Sequence, residues 1–407
     1  MILLIRISIV ILILVSNVNA QFLPSSVGVH HKKSSSVSDE SFATLLQDGA
    51  YGTVTYSNTM STYSVSLWVK SRDLNPVIYN SAFSTYYDHN AGFQIDSDGN
   101  YSYRVHAYGW STTFGSNTLK TTWVHLAVVA DGSTTKLYYN GSLSATKNGS
   151  VMSDWNGVNI NRNRNADRPG DYYLDEIRVW EGVALTQANI QAWMHKPLDN
   201  NHPNFSDLLI YFPMNSDDIS GTSLSDASGN NNDAILNLSS GSVGNATSYV
   251  PVVDLISGYQ NNVEAIWTST GDYHNDSDAS AGLSMSLVSP SSALAEANFV
   301  VYGNNGIQSS SSSSILGLSK LSDRVWQFDE TGTVSADIKI DIGTSTGYSG
   351  GATLTASSYK LLYKSCSLCD YSIEASGSSI SSTDNITFSS VAIKDGFYSI
   401  GSTDNNL

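Results

Sequence analysis

Short segments in which apolar and polar residues alternate run along most of the chain. Apolar side chains recur at every second position in residues 63–69 (YSVSLWV), 92–95 (GFQI) and 101–105 (YSYRV). A period of two is typical of a β-strand with one buried face. Residues 123–129 (WVHLAVV) are apolar on nearly both faces, as expected of a strand in the centre of a sandwich. The pattern predicts a chain built mainly of strands.

Turn residues separate these segments at intervals of roughly ten residues. The turns include DGN at 98–100, DGS at 131–133 and NG at 140–141. Asn, Asp and Gly tolerate the positive φ angles of tight hairpins. Closely spaced strands with such turns favour an antiparallel sandwich or jelly roll over a parallel α/β sheet.

One short helix interrupts the strand pattern. Thr186 is a suitable N-cap, and Ile190, Trp193 and Met194 fall on one apolar face. Pro197 then ends the helix.

Six segments between residues 41 and 250 follow one another in a characteristic order. They are VSLWVK (65–70), WVHLAVV (123–129), KLYYNG (136–141), YLDEIRVW (173–180), LIYFPM (209–214) and DASGNNN (226–232). As a set they resemble the laminin-G-like, concanavalin-A-like jelly-roll family, which includes lectins and glucanases. The resemblance implies a jelly-roll domain over residues 41–250.

Residues 251–407 form a second unit with the same alternation, for example in 262–267 (NVEAIW) and 386–393 (ITFSSVAI). This unit resembles a β-sandwich found beside such jelly rolls in secreted and surface bacterial proteins, for which no chemistry is assigned. The expected fold is therefore all-β: an antiparallel jelly-roll β-sandwich followed by a second, smaller β-sandwich.

The N-terminal residues have the pattern of an export signal. Residues 1–20 contain Arg6, an apolar run and small residues at Val18 and Ala20, which predicts a signal peptide cut before Gln21. An N-terminal anchor is the alternative, but the run is shorter than the roughly 20 residues of a spanning helix. No other stretch could span a bilayer. Residues 21–40 are polar and Ser-rich, and we interpret them as a linker.

Charge narrows the range of partners. The 407 residues include 20 Lys and Arg against 36 Asp and Glu, so the net charge is −16. Nucleic-acid binding is disfavoured, because it requires clustered basic residues. Neutral sugars and calcium are compatible with this balance.

Aromatic and polar residues in predicted loops suggest a carbohydrate site. Pyranose rings pack on aromatic side chains, while Asp, Asn and His bind hydroxyl groups. The candidate residues are Tyr86, Tyr87, Asp88, His89, Asn90, Tyr108 and Trp110. Residues 161–165 (NRNRN), with Asp167 and Arg168, add a dense polar loop. The alternative is ordinary cross-strand aromatic packing.

Calcium is expected only through the family resemblance. Some members hold calcium between an Asp-Gly pair of the first strand and an Asp of a late strand, and the matching positions are Asp48, Gly49 and Asp175. The alternative is that Asp175 and Glu176 bind loop backbone or pair with Arg178.

Catalysis has no comparable support. Glycosidases need two carboxylates facing one cleft, whereas the adjacent Asp175 and Glu176 should point to opposite faces of a strand. His125 lies within an apolar strand and is interpreted as a sheet residue.

The two cysteines, Cys366 and Cys369, are predicted to form a small structural disulfide between two strands.

Together these patterns predict a secreted or cell-surface protein, not an enzyme, that binds glycans or glycoproteins, with calcium as a candidate cofactor. Two alternatives stay open. One is a structural surface protein whose domains act as spacers. The other is a polysaccharide-degrading hydrolase of the concanavalin-A-like fold.

Overall fold

The computed structural model describes residues 42–47, 49–73, 78–85, 92–107, 109–149, 154–164, 168, 170–239, 241–269, 272–273, 281–287, 297–350, 352–381 and 384–407. The predicted signal peptide and linker lie outside these residues. Strands predominate, so the all-β expectation is confirmed. Within the described part of the chain, no helix is both long and apolar enough to cross a membrane.

Seventeen strands of the described residues build the first sandwich. They are β1 Phe42–Gln47, β2 Tyr51–Thr59, β3 Thr62–Ser71, β4 Ser81–Thr85, β5 Phe93–Ser97, β6 Tyr103–Ala107, β7 Trp110–Thr113, β8 Val124–Asp131, β9 Thr134–Tyr139, β10 Ser142–Asn148, β11 Asp154–Ile160, β12 Tyr172–Glu181, β13 Leu208–Phe212, β14 Ile219–Ser220, β15 Ser223–Leu224, β16 Ala234–Asn237 and β17 Ser242–Thr247.

Two antiparallel sheets enclose the core of this sandwich. The eight-stranded sheet has the order β10-β9-β8-β3-β12-β1-β17, with β13 also paired to β12. The nine-stranded sheet has the order β14-β15-β16-β2-β11-β4-β5-β6-β7. Alternate side chains, such as Val65 and Leu67 of β3 and Phe93 and Ile95 of β5, fill the space between the sheets. Each such side chain contributes roughly 1.5–3 kcal/mol on burial.

A helix covers the outer face of the eight-stranded sheet. Helix α1, Gln187–Trp193, begins at Thr186, whose hydroxyl accepts a hydrogen bond from the backbone N–H of Asn189, as the sequence predicts. Its Ile190 packs with Val129 of β8 in a second apolar cluster. Strand β8 is therefore apolar on both faces because a helix, rather than another sheet, lies over its outer side.

The second sandwich begins after residue 260. Its strands in the described residues are β18 Asn261–Ile266, β19 Thr268–Ser269, β20 Asp272–Tyr273, β21 Leu283–Leu287, β22 Phe299–Asn304, β23 Ser310–Ser312, β24 Lys320–Ser322, β25 Trp326–Thr331, β26 Ser335–Asp341, β27 Tyr359–Lys364, β28 Ser372–Ser376, β29 Ser379–Ser381, β30 Asn385–Ala392 and β31 Gly396–Ser402. One short helix, α2 Ile342–Thr346, follows β26.

The sheets of this unit are separate from those of the first. One has the order β18-β22-β25-β31-β24-β23, with β27 paired to β31 and β28 to β27. A second has the order β21-β26-β30-β29, and β19 and β20 pair as a two-stranded sheet. Side chains such as Tyr302, Trp326, Phe328 and Ile338 form their common core. Cys366 and Cys369 form a disulfide between β27 and β28, as the sequence predicts.

A separate apolar cluster joins the two sandwiches. Trp68 and Trp123 of the first sandwich pack with Trp267, which follows β18. The Trp68 and Trp267 rings meet edge to face, with centroids 5.5 Å apart. The Trp267 indole N–H donates to the Trp123 carbonyl oxygen at 3.4 Å. The two units therefore share a buried aromatic contact.

Candidate ligand-binding site

Most of the predicted sugar-site residues fall outside the described part of the chain. Tyr86, Tyr87, Asp88, His89 and Asn90 belong to the undescribed segment between β4 and β5, and Tyr108 is also undescribed. Their role in ligand binding stays a prediction.

Trp110, the remaining member of that set, begins β7. It pairs in register with Ala107, a core residue, and its half-buried indole packs against the main core. The Lys147 ammonium lies 6.0 Å from the ring centroid. Because His106 pairs with Ser111 instead, Trp110 lies on the opposite face of β6 and β7 from His106.

The calcium expectation for Asp48, Gly49 and Asp175 stays a prediction. Asp48 is outside the described residues. Thr44 of β1 pairs with Leu174, so the strands run antiparallel and Gly49 lies about six residues beyond the position opposite Asp175. Calcium binding at these residues is therefore tested by experiment, as described in the Discussion.

Asp175 is hydrogen-bonded within the chain. Its carboxylate accepts a hydrogen bond from the Ser248 hydroxyl at 2.5 Å, and the residue is only 5% exposed. Burial and the neighbouring Glu176 carboxylate raise the pKa of Asp175 well above its usual range. The Ser248 contact gives Asp175 a structural partner within the chain.

Glu176 departs from the strand alternation expected from the sequence. A β-bulge lies between Asp175 and Arg178, and Glu176 has φ 50°. The Glu176 carboxylate accepts from Arg178 Nη2 at 2.5 Å and from the Tyr211 hydroxyl at 2.9 Å. Asp175 pairs with Trp68 and Arg178 pairs with Ser66, two residues apart on β3, so Asp175 and Arg178 both lie on the same outer side of the sheet. Glu176, bound to Arg178, lies on that side as well. The expectation of opposite faces is wrong here, because the bulge adds a residue to the strand.

The nine-stranded sheet carries a polar row on its outer face. Cross-strand pairs connect Asn159, Ser84, Gln94, His106 and Ser111 in that order across β11, β4, β5, β6 and β7. Residues directly opposite one another share a face of a sheet. The residues between them in sequence point into the core, so this row looks away from the other sheet.

The loop that follows β11 folds back over this row. The Ser84 hydroxyl donates to the Arg162 carbonyl at 2.8 Å, and the Gln94 side-chain oxygen accepts from the Arg164 backbone N–H at 3.3 Å. At the end of the loop, a Cβ on Gly170 would collide with the Ser81 carbonyl and the Asn161 side chain. Residues 161–164 of the polar loop noted in the sequence are thereby fixed on the sheet.

A buried ion pair lies beside the row. Asp96 of β5 is fully buried, and Arg104 Nε donates to its carboxylate at 2.8 Å. Gln94 donates to the other carboxylate oxygen at 2.5 Å. Burial raises the pKa of Asp96 to about 6, although Arg104 opposes the rise. The pair holds the Arg104 guanidinium in a fixed position on the sheet face.

An aromatic ring and two further basic groups adjoin this pair. Tyr79 has φ 73°, and its ring lies 4.7 Å from the Arg104 guanidinium carbon and 4.8 Å from that of Arg168. The His106 ring is 5.1 Å from the same tyrosine. Burial and the charge of the nearby arginines lower the pKa of His106 to about 4, so this imidazole is neutral near pH 7.

We call the set of Tyr79, Gln94, Asp96, Arg104, His106 and Arg164 the sheet-face site. It combines an aromatic ring, fixed hydrogen-bond donors and a neutral imidazole on a rigid sheet, a combination that binds polar organic ligands such as sugars. The NRNRN motif was the sequence signal for the loop. Tyr79, Asp96 and His106 were missed, because their proximity depends on strand register.

The family comparison agrees with the motifs. Residues 47–191 match the family model Laminin_G_3, described as the concanavalin A-like lectin/glucanases superfamily. This span covers less than half of the chain and contains the whole sheet-face site. The predicted resemblance is confirmed for this segment. No curated protein matches the chain significantly in sequence.

Solved structures give more distant similarities. A "putative carbohydrate binding protein" from Bacteroides ovatus ATCC 8483 is 18% identical, with 53% of this chain and 62% of that chain covered and a TM-score of 0.43. The match therefore spans less than two thirds of that protein. A heptameric SAP-like pentraxin from Limulus polyphemus is 13% identical, with 37% and 80% covered and a TM-score of 0.31. Domain 4 of AbnA, a GH43 extracellular arabinanase from Geobacillus stearothermophilus, in complex with arabinotriose, is 26% identical, with 32% and 65% covered and a TM-score of 0.27.

Proposed function

We propose that the first sandwich is a non-catalytic carbohydrate-binding module that acts outside the cell and binds glycans at the sheet-face site. The observation that carries the proposal is the arrangement of Tyr79, Arg104 and His106 around the buried Asp96. The match to a lectin and glucanase family model supports it. The signal-peptide pattern of residues 1–20 supports export, and adhesion to surface glycoproteins would follow from glycan binding.

Binding is favoured over hydrolysis by what surrounds Asp96. A carboxyl group with a pKa of about 6 could act as a general acid. A glycosidase, however, also needs a second carboxylate across the scissile bond. Within the described residues, the side chains that donate hydrogen bonds to Asp96 are those of Arg104 and Gln94. Neither of them is the second carboxylate that hydrolysis requires.

A glycan array probed with the full secreted chain tests this proposal. The key variant is Tyr79→Asn, which removes the ring and keeps a residue that tolerates positive φ. The matched control is Tyr101→Asn, because Tyr101 also has positive φ (63°) but lies in the β5–β6 turn and is 46% exposed.

We expect selective glycan binding that falls at least tenfold in Tyr79→Asn and is unchanged in Tyr101→Asn. A packed aromatic ring supplies roughly 0.5–1.5 kcal/mol in addition to the apolar area that it buries, and 1.4 kcal/mol is tenfold in affinity. A blank array with and without calcium would overturn the proposal in favour of a spacer role. Release of shortened sugars from a bound polysaccharide would favour the hydrolase.

A further inference from the structure

The sheet-face site has more positive than negative charge, although the chain as a whole is acidic. Three guanidinium groups, those of Arg104, Arg164 and Arg168, adjoin the site. The chain contains only eight arginines and has a net charge of −16. Within the described residues, the Asp96 carboxylate accepts hydrogen bonds from Arg104. A positive region on an acidic protein concentrates anionic ligands.

Arg164 is the least compensated of these groups. It is 5% exposed, and within the described residues its guanidinium makes one hydrogen bond, from Nη1 to the Gly92 carbonyl at 3.4 Å. By contrast, Arg104 is held by both oxygens of Asp96. Burying a cation is costly unless an anion or several acceptors face it. Arg164 thus has donors in a fixed position and no carboxylate in hydrogen-bond contact within the part of the chain that the structure describes.

Further polar atoms of the same face also lack partners there. His106 Nδ1 and the side-chain oxygen of the fully buried Asn159 have no hydrogen-bond partner within the described residues. Both belong to the polar row that Arg164 covers. Both atoms are buried, so they make the face polar without being open to a ligand themselves. The Arg164 guanidinium is the position that the face offers to an anion.

We propose that the sheet-face site is specific for acidic sugars, with Arg164 binding the sugar carboxylate and Tyr79 packing against the sugar ring. The planar guanidinium suits a carboxylate because two N–H groups can donate to its two oxygens. This inference rests on the proposed glycan-binding function and adds the class of ligand.

The test compares matched acidic and neutral glycans on the full secreted chain. The pairs are sialyllactose with lactose, and a glucuronic-acid-terminated disaccharide with its glucose counterpart. Sulfated lactose separates carboxylate recognition from general attraction of anions. We expect at least one carboxylated member to bind ten or more times more tightly than its neutral partner, and also more tightly than the sulfated sugar. Calorimetric titration at low and high salt gives the affinities.

Two Arg164 variants locate the effect. Arg164→Met removes the charge and should abolish the tenfold preference. Arg164→Lys keeps the charge without the paired donors and should retain part of the preference, which keeps the test decisive if the methionine variant fails to fold. The control is Arg72→Met, because Arg72 is an exposed arginine paired with Asp171 at 2.7 Å outside the site. Its binding should equal that of the unaltered protein.

The outcomes separate the two proposals. Equal binding of acidic and neutral glycans, lost in Tyr79→Asn, would overturn the acidic preference and leave the glycan-binding function standing. Preference for sulfate over carboxylate, or a preference unchanged in both Arg164 variants, would also overturn it. Absence of binding to every glycan would overturn both proposals.

Discussion

The aromatic contact between the two sandwiches should couple their unfolding. Trp267 is 3% exposed and packs against Trp68 and His195, with ring centroids 5.5 and 4.9 Å apart. We consider the variant Trp267→Ala. It removes the largest side chain that the second sandwich contributes to this cluster.

The expected magnitude follows from the buried area. An aromatic side chain buries about 150–250 Å², which at about 25 cal/mol per Å² corresponds to roughly 4–6 kcal/mol. Measured Trp→Ala losses of about 3–5 kcal/mol agree with this range. Each sandwich keeps its own core, so the loss falls on the coupling between them.

Differential scanning calorimetry of the full chain measures the effect. We expect one main transition for the unaltered protein and two separate transitions for Trp267→Ala, the earlier shifted down by roughly 2–4 °C per kcal/mol lost. The matched control is Trp155→Ala, since Trp155 is 1% exposed and lies inside the first core. That variant should lower the melting temperature without splitting the transition. A single, unshifted transition for Trp267→Ala would refute the reasoning.

Three further predictions concern charged groups. Arg178→Met should destabilise the chain by roughly 3–5 kcal/mol, because it leaves the buried Glu176 carboxylate without its cation. Denaturant titrations should show a larger loss at pH 8 than at pH 5, since burial already raises the pKa of Glu176, and an equal loss at both would contradict this. NMR titration should place the pKa of His106 at about 4. Because the folded chain binds the His106 proton more weakly than the unfolded chain, this residue stabilises the fold above pH 6.5, and the stabilisation is lost as the pH falls from 6.5 toward 4. A measured pKa near 6.5 would contradict this. If calcium binds the folded chain, chelator should lower the melting temperature, and an unchanged transition would exclude a calcium contribution to stability.

Much of the fold could be predicted because it depends on local pattern. Alternation of apolar residues indicated strands such as β3 and β8, and the Thr186 cap with one apolar face indicated helix α1. These signals act over a few residues. Burial of one face and capping of one helix end are set by neighbours in the chain. The disulfide was equally predictable, because only two cysteines are present and they are three residues apart.

The candidate site was less accessible to such reasoning. The sequence drew attention to the NRNRN loop and to aromatic residues in other loops. It could not show that Arg164 would lie over Gln94, or that Tyr79 would face Arg104. Those contacts join residues separated by about 25 to 70 positions, and they depend on which strands are neighbours and in what register.

The β-bulge shows the same division on a smaller scale. The sequence alone determined that residues 173–180 form a strand with a buried face, because alternation needs no knowledge of partners. Only the tertiary structure decided that Glu176 would turn toward Arg178 and Tyr211, since the extra residue appears when β12 pairs with β3. Local periodicity specifies strands and caps, whereas long-range pairing decides which polar side chains meet. The class of fold was therefore present in the sequence, and the chemistry of the sheet-face site arose from the register of its sheet.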